Sequence, residues 1–264
     1  MQDLVIAVDV GSSSARAGVF DKRGVLLARA EAPFSTAHPQ PNHAEHSSDE
    51  IWTAVCQAVR EAVATGRIAA GEVKGIAFDA TCSLVALDRA GRPVTVSVTG
   101  EDRWNVIMWA DHRATAEAEE ITATRHRVLD HVGNVMSPEM EIPKLLWLKR
   151  HRPDAWRRYG LVLDLTDFLT WKATGRAAVS TCTVTCKWTY LAHEKPGWQS
   201  DFLSRIGLDD LPDRASLPAS TQSIGTSAGP LTAQSAAELG LPRDCIVGVG
   251  AIDAHAGGIG VLGG

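Results

Sequence analysis

The chain opens on an unbroken apolar run, Leu4-Val5-Ile6-Ala7-Val8, which reads as a buried strand and stops at Asp9. Ala15 to Phe20 form a second run, Asp21-Lys22-Arg23-Gly24 is a hairpin turn, and Val25 to Ala30 form a third strand. The first elements are therefore a β-meander with a hydroxyl-rich loop, Gly11-Ser12-Ser13-Ser14, at its first turn. The period then changes. Ser47-Ser48-Asp49-Glu50 is a capping sequence, and Ile51, Trp52, Val55, Ala58, Val59, Ala62 and Val63 keep helical spacing up to Gly66. Val73 to Phe78 is a strand that breaks at the corner Asp79-Ala80-Thr81-Cys82-Ser83 before Leu84 to Leu87 resume it. That corner is either an ordinary strand break or a place where backbone groups meet a ligand.

Further along, the apolar run from Trp104 ends in Asp111-His112-Arg113, and Asp111 is read as the cap of an Ala-Glu-rich helix reaching about Arg125. One amphipathic helix is predicted from Pro143 to Tyr159, and Leu161 to Leu165 is a short strand with a helix starting at Thr166. Across Val179 to Trp188 the Thr and Val content argues against a helix, although Cys182 and Cys186 would share one face of it. Trp198 to Gly207 is a short helix, and a polar linker around residues 218–229 leads to the closing strand, Cys245 to Val249. A small-residue turn follows, and Asp253 opens an Ala- and Gly-rich helix. Alternating strands and helices make this an α/β chain. Two readings stay open for Asp253: an N-cap, or the carboxylate of a ligand site at a strand's carboxyl end.

Composition narrows the function classes. The 264 residues are 45% hydrophobic, enough for a substantial core, and the net charge of −5 gives no reason to expect nucleic acid or an anionic membrane as partner. Five scattered cysteines without metal-ligand spacing are expected to be reduced thiols of a cytoplasmic protein. The N-terminus enters a strand directly, which argues against a signal peptide, and no apolar run approaches the ~20 residues that span a bilayer.

Candidate chemistry lies in four places. Asp9 could hold a hydrated Mg2+, and the Gly11–Ser14 loop with Arg16 could cradle phosphate oxygens; a plain hairpin turn is the alternative. His38, His43 and His46 sit in a Pro-rich stretch whose irregular spacing predicts a surface loop rather than a metal site. Lys187, among Thr and Trp, either directs a donor at sugar oxygens or is solvated. Gly248-x-Gly250 follows a strand, but Asp253 replaces the third glycine of a dinucleotide fingerprint and no acidic residue lies about 20 positions on, so that reading is rejected.

Asp9-x-Gly-Ser-Ser-Ser-x-Arg16, the meander, and Gly-x-Gly-Ala-Ile-Asp253 together resemble the FGGY family of carbohydrate kinases. Ser48-Asp49-Glu50-Ile51-Trp52, Trp109-Ala110-Asp111-His112-Arg113 and Lys144-Leu-Leu-Trp147-Leu148 match as well, so the resemblance covers almost the whole chain. It implies a ribonuclease H-like, actin-like ATPase fold: a mixed sheet opened by a β-meander and flanked by helices. Within the family, Glu141 and Pro143 ahead of Lys144, with Lys187, resemble the ribulokinase branch.

The implied activity is ATP-dependent, in-line phosphorylation of a sugar, with a ketopentose such as ribulose ahead of xylulose or another polyol. On that resemblance Asp253 is the general base and Asp9 organises Mg2+. Gly11, Ser12, Ser13, Ser14 and Arg16 meet the phosphate, while Ala80, Thr81, Cys82 and Lys187 hold the sugar. Members of the family have two lobes and about twice this length. Residues 1–264 are therefore expected to be one domain, the sugar-binding lobe, inactive without the nucleotide-binding lobe. A homodimer and a non-catalytic sugar-binding module of the same fold remain alternatives.

Overall fold

Period-two burial governs β1 (Leu4–Val10): Leu4, Ile6, Val8 and Val10 are buried, Val5 and Ala7 are exposed, and Asp9 lies between. The computed structural model describes residues 3–262. An unbroken apolar run that reads as buried on both sides is thus covered on one side only. β2 (Ser14–Phe20) and β3 (Leu26–Pro33) complete the expected antiparallel meander. The Pro-rich stretch departs from expectation, because it includes β4 (Glu45–His46) and buries His43 and His46. His46 is held by Thr36 Oγ1 at 3.0 Å and by the edge of Phe34, and burial lowers its pKa to about 4, so it packs as a neutral ring.

α1 (Ser48–Thr65) starts where the capping sequence predicts, with the Ser47 side chain accepting the Glu50 N–H, and lies across β2 and β3. β5 (Val73–Ala80) runs parallel to β1. β6 (Leu84–Leu87) and β7 (Val106–Ile107) leave that sheet and, with β8 (Leu161–Asp164), join β4 in a second one of order β4-β7-β6-β8. α2 (Thr115–Ala123) is not capped by Asp111: its N-cap is Ala114, and Asp111 is fully buried. There it accepts two bonds from the Arg113 guanidinium, at 2.8 and 2.7 Å, and the Ala44 N–H at 2.7 Å, while Arg113 also donates to Glu45. The carboxylate serves a buried cation rather than a helix end.

The helix predicted over Pro143–Tyr159 is two: α3 (Glu141–His151) and α4 (Pro153–Arg158). Pro143 is tolerated in the first turn, whereas Pro153 excludes Arg152 from the helical region and ends α3. β8 (Leu161–Asp164) feeds α5 (Leu165–Thr174), which packs on β5 and on β10, introduced below. α6 (Thr181–Lys187) is helical despite its Thr and Val content. Ser180 caps it, and Thr183 Oγ1 donates to the buried Asp167 at 2.6 Å, so tertiary hydrogen bonds override propensity.

α7 (Ser200–Arg205) is followed by α8 (Leu211–Ala215), and the polar linker ends in the edge strand β9 (Ser227–Pro230). α9 (Ala233–Leu239), β10 (Ile246–Ile252) and α10 (Asp253–Leu262) close the fold. The main sheet has the order β3-β2-β1-β5-β10-β9, with β1, β5 and β10 parallel at its centre. It is a mixed sheet flanked by helices. Among the described residues, no helix is long and apolar enough to cross a membrane.

Candidate functional site

Three parallel strands that end at one level bring three acidic residues together. Asp9 on β1 pairs in register with Asp79 on β5, Asp79 pairs with Ala251 on β10, and Asp253 follows two residues later at the start of α10. This is the carboxyl edge of the sheet, where open α/β folds place ligands. Register also sets Arg16 on β2 opposite Asp9, and its Nη2 lies 3.0 Å from Asp9 Oδ2. Burial raises the Asp9 pKa, with Arg16 opposing and the charges of Asp253 and Glu31 adding to the rise. Asp79 is pushed up to about 7, by burial first and then by Asp9 and Asp253. Asp79 was expected only as part of the corner that ends this strand, with no role for its carboxylate. Its only local signal is that, like Asp9, it is an acid near the end of an apolar strand.

A cavity of about 510 Å³ adjoins these carboxylates, lined by Gly11, Ser12, Arg16, Thr81, Cys82, Trp109, Glu139, Cys186, Lys187, Ile252, Asp253, Ala254 and His255. A second space, of about 520 Å³ and bounded by Asp9, Arg16, Asp79, Asp253, Ala254, Ala256 and Gly257, shares Arg16, Asp253 and Ala254 with it. The site thus has a mixed apolar and polar chamber next to an acidic one, with Asp253 between them. Asp253 Oδ1 accepts its neighbour's N–H, from Ala254 at 2.7 Å, and Oδ2 has no hydrogen-bond partner among the described residues. An N-cap would reach two or three residues forward. This carboxylate does not.

The other expected residues divide. Ser12 lines the cavity, and its Oγ accepts the Trp109 indole N–H at 3.0 Å. Ser13 is exposed, and neither it nor Ser14 lines the cavity. The Gly11 N–H donates to Ser14 O at 3.0 Å, which leaves the Ser12 and Ser13 N–H groups without a backbone acceptor among the described residues. Thr81 and Cys82 face the cavity, whereas Ala80 is wholly buried beside them. Lys187 enters from the last turn of α6. Burial alone would lower its pKa, but the Cys82 and Cys186 thiols and the Glu141 carboxylate raise it. Burial pushes the Cys82 thiol up to about 12, so it stays neutral. Trp109, Glu139 and His255 also line the cavity; Trp109 stands in a stretch that matches the family, but no site role was expected of any of the three. Glu139 Oε1 is 3.1 Å from His112 Nε2, and His255 Nδ1 is 3.0 Å from Cys182 Sγ.

The acidic edge fits a divalent cation of the Mg2+ type. Asp79 is raised by burial first, and the part of the rise that comes from Asp9 and Asp253 is one a cation would relieve. Among the described residues, the tight three-ligand group is His131, His193 and Glu194, none of which lines either of these two spaces. Asp9, Asp79 and Asp253 are spread more widely, which suits an ion held by one or two carboxylates together with phosphate oxygens. Where a turn was expected after Val249, Gly248-x-Gly250 lies within β10, which runs on to Ile252, and the pattern has a packing explanation: a Cβ at Gly250 would overlap the Phe78 carbonyl oxygen on β5.

Comparison with known proteins agrees with this architecture. The chain is 50% identical over 262 residues to an FGGY carbohydrate kinase domain-containing protein of Danio rerio, an alignment covering 98% of this chain and 47% of that protein. It is 39% identical over 272 residues to a D-ribulokinase of Saccharomyces cerevisiae, covering 97% of this chain and 38% of the relative. A gluconate kinase structure from Lactobacillus acidophilus superposes with a TM-score of 0.84 at 21% identity, over 99% of this chain and 50% of that one, and shows the shared actin-like ATPase fold. The chain spans about half the length of the curated relatives it matches. Residues 4–260 match the N-terminal domain of the FGGY family of carbohydrate kinases, and the chain belongs to that family.

Proposed function

We propose that this chain is the sugar-binding lobe of an ATP-dependent kinase that phosphorylates a ketopentose, ribulose first. The observation that carries the proposal is the placement of Asp253 between a cavity of sugar size and an edge lined by Asp9 and Asp79. The free Oδ2 of Asp253 accepts the proton of the attacking hydroxyl, which lies on the cavity side. Arg16 neutralises charge on the transferring phosphoryl group, and the Ser12 and Ser13 N–H groups approach its oxygens. Asp9 and Asp79 would hold Mg2+ arriving with ATP, which supplies charge neutralisation on the phosphate oxygens. Lys187 donates to a sugar carbonyl or hydroxyl, and the Trp109 ring and Cys82 give the cavity an apolar wall.

Two considerations support ribulose. The yeast relative is named a D-ribulokinase, and Lys187 is a cation beside neutral thiols, suited to a polarised oxygen such as a ketose carbonyl. The adenine pocket is assigned to a second lobe on the same polypeptide, so residues 1–264 alone bind sugar without turnover. The test is a substrate panel on the full-length polypeptide carrying this chain. Ribulose should show the highest kcat/KM; a higher value for xylulose, gluconate or glycerol would overturn the assignment.

A further inference from the structure

His131, His193 and Glu194 meet at the surface from two segments distant in the chain. His131 is in the last turn of the 3-10 helix Arg127–Val132, while His193 and Glu194 belong to the turns that lead into α7. One ligand atom from each residue lies within 4.8 Å of the other two. The two imidazole rings stand 5.0 Å apart at 51°, and His193 Nε2 is 4.0 Å from Glu194 Oε1. Among the described residues, neither ring nitrogen of His131 or His193 has a hydrogen-bond partner. The surrounding contacts fix both segments without them. Arg127 donates to the two oxygens of Glu194 at 2.6 and 2.9 Å, and also to Gln199. Gln199 donates in turn to the Pro196 and Gly197 carbonyls at 3.0 and 3.3 Å. On the other side, His126 Nε2 is 3.1 Å from Asp201 Oδ2 on α7, and Arg205 donates to Thr124 O at 3.0 Å. The backbone is thus already held, so a ligand here costs little in ordering the chain.

We propose that His131, His193 and Glu194 form a binding site for a divalent transition ion of the Zn2+ class, separate from the acidic edge that suits Mg2+. Two imidazole nitrogens and one carboxylate oxygen are a Zn2+ donor set, with a fourth position left for water. The same set disfavours Mg2+, which takes oxygen ligands in octahedral geometry. Bonds of about 2.0–2.1 Å put tetrahedral donors about 3.4 Å apart, so the three atoms close by roughly 1.4 Å per pair at most. Both histidines are exposed, and small side-chain rotations cover that distance. Arg127 does not fill the site, because a carboxylate offers about four lone-pair positions. Its hydrogen bonds hold the Glu194 carboxyl below the usual range, ionised and fixed in direction, as the carboxylate ligands of metals generally are. The guanidinium charge opposes the ion, so the two imidazoles supply most of the affinity.

The experiment titrates Zn2+, and Co2+ as an optical probe, into the full-length polypeptide stripped of transition ions, with saturating MgCl2 present to occupy the acidic edge. One equivalent of Zn2+ should bind by calorimetry. His131→Ala and His193→Ala should each weaken it at least ten-fold, since even the outer partners of metal ligands are worth that much. Asp9→Asn should leave it unchanged. The Co2+ complex should show the d–d bands of nitrogen and oxygen ligation without a thiolate charge-transfer band, which would place the ion on Cys182 or Cys186 instead. Zn2+ affinity indifferent to both histidine substitutions, or a thiolate band, overturns the proposal. No readout involves sugar or ATP, so the result is independent of the kinase reading. A second measurement needs no variant: on the wild-type polypeptide Zn2+ should shield His131 and His193 from carbethoxylation, mapped by mass spectrometry, and leave the exposed His112 reactive. Equal modification of His131 and His193 with and without Zn2+ likewise overturns it.

Discussion

Asp79→Asn isolates the electrostatic load at the carboxyl edge of the sheet. A carboxyl moved from 3.8 to about 7 corresponds to about 4 kcal/mol at 1.36 kcal/mol per pH unit. The edge opens onto a solvated cleft, and screening reduces this to roughly 2 kcal/mol. The sign follows from proton linkage. Between pH 3.8 and about 7 the folded chain holds a proton that the unfolded chain has released, so stability falls as pH rises through that window. Asn carries no such proton. The melting temperatures of wild type and Asp79→Asn should therefore coincide near pH 4 and separate towards pH 8, with the variant higher by about 4–8 °C. The assay is a thermal melt at half-unit pH steps in low salt. Saturating MgCl2 at pH 8 should narrow the gap, because a cation at the edge relieves the same repulsion. A gap that is equal at pH 4 and pH 8 would refute the raised proton affinity that burial, Asp9 and Asp253 give Asp79 in the folded chain.

Two further outcomes follow from the same geometry. Asp253→Asn in the full-length polypeptide should lower kcat by about 10²–10⁴-fold, the usual contribution of a general base, with the melting temperature scarcely moved. A variant with near wild-type kcat would remove Asp253 from the chemistry. Gly250→Ala should destabilise the chain by roughly 3 kcal/mol or more, since the added methyl overlaps the backbone of β5 and neither parallel strand can shift alone. A denaturant midpoint unchanged from wild type would contradict that close approach.

What the sequence determined by itself is local. The meander, the Ser47 cap, β5, β8 and the final strand-to-helix junction at Asp253 are visible because alternation, turn residues and capping act over a few positions. Asp9 and Asp253 stood out for the same reason, each being an acid where an apolar strand stops. The break at Pro153 was equally local, and the helical period of the leucines masked it. Three-dimensional packing decided the rest. Asp79 meets Asp9 only through the register of two parallel strands far apart in the chain, and no periodicity encodes that partner. α6 forms because Asp167 binds Thr183 across the fold, against the preference of its own Thr and Val. Lys144 reads as the polar side of an amphipathic helix, yet it is wholly buried. Its counter-charge Glu141 and its carbonyl partners at Met108 and Trp109 exist only once α3 has docked. A buried charge is tolerated because of its neighbours, and neighbours distant in sequence are set by tertiary structure alone.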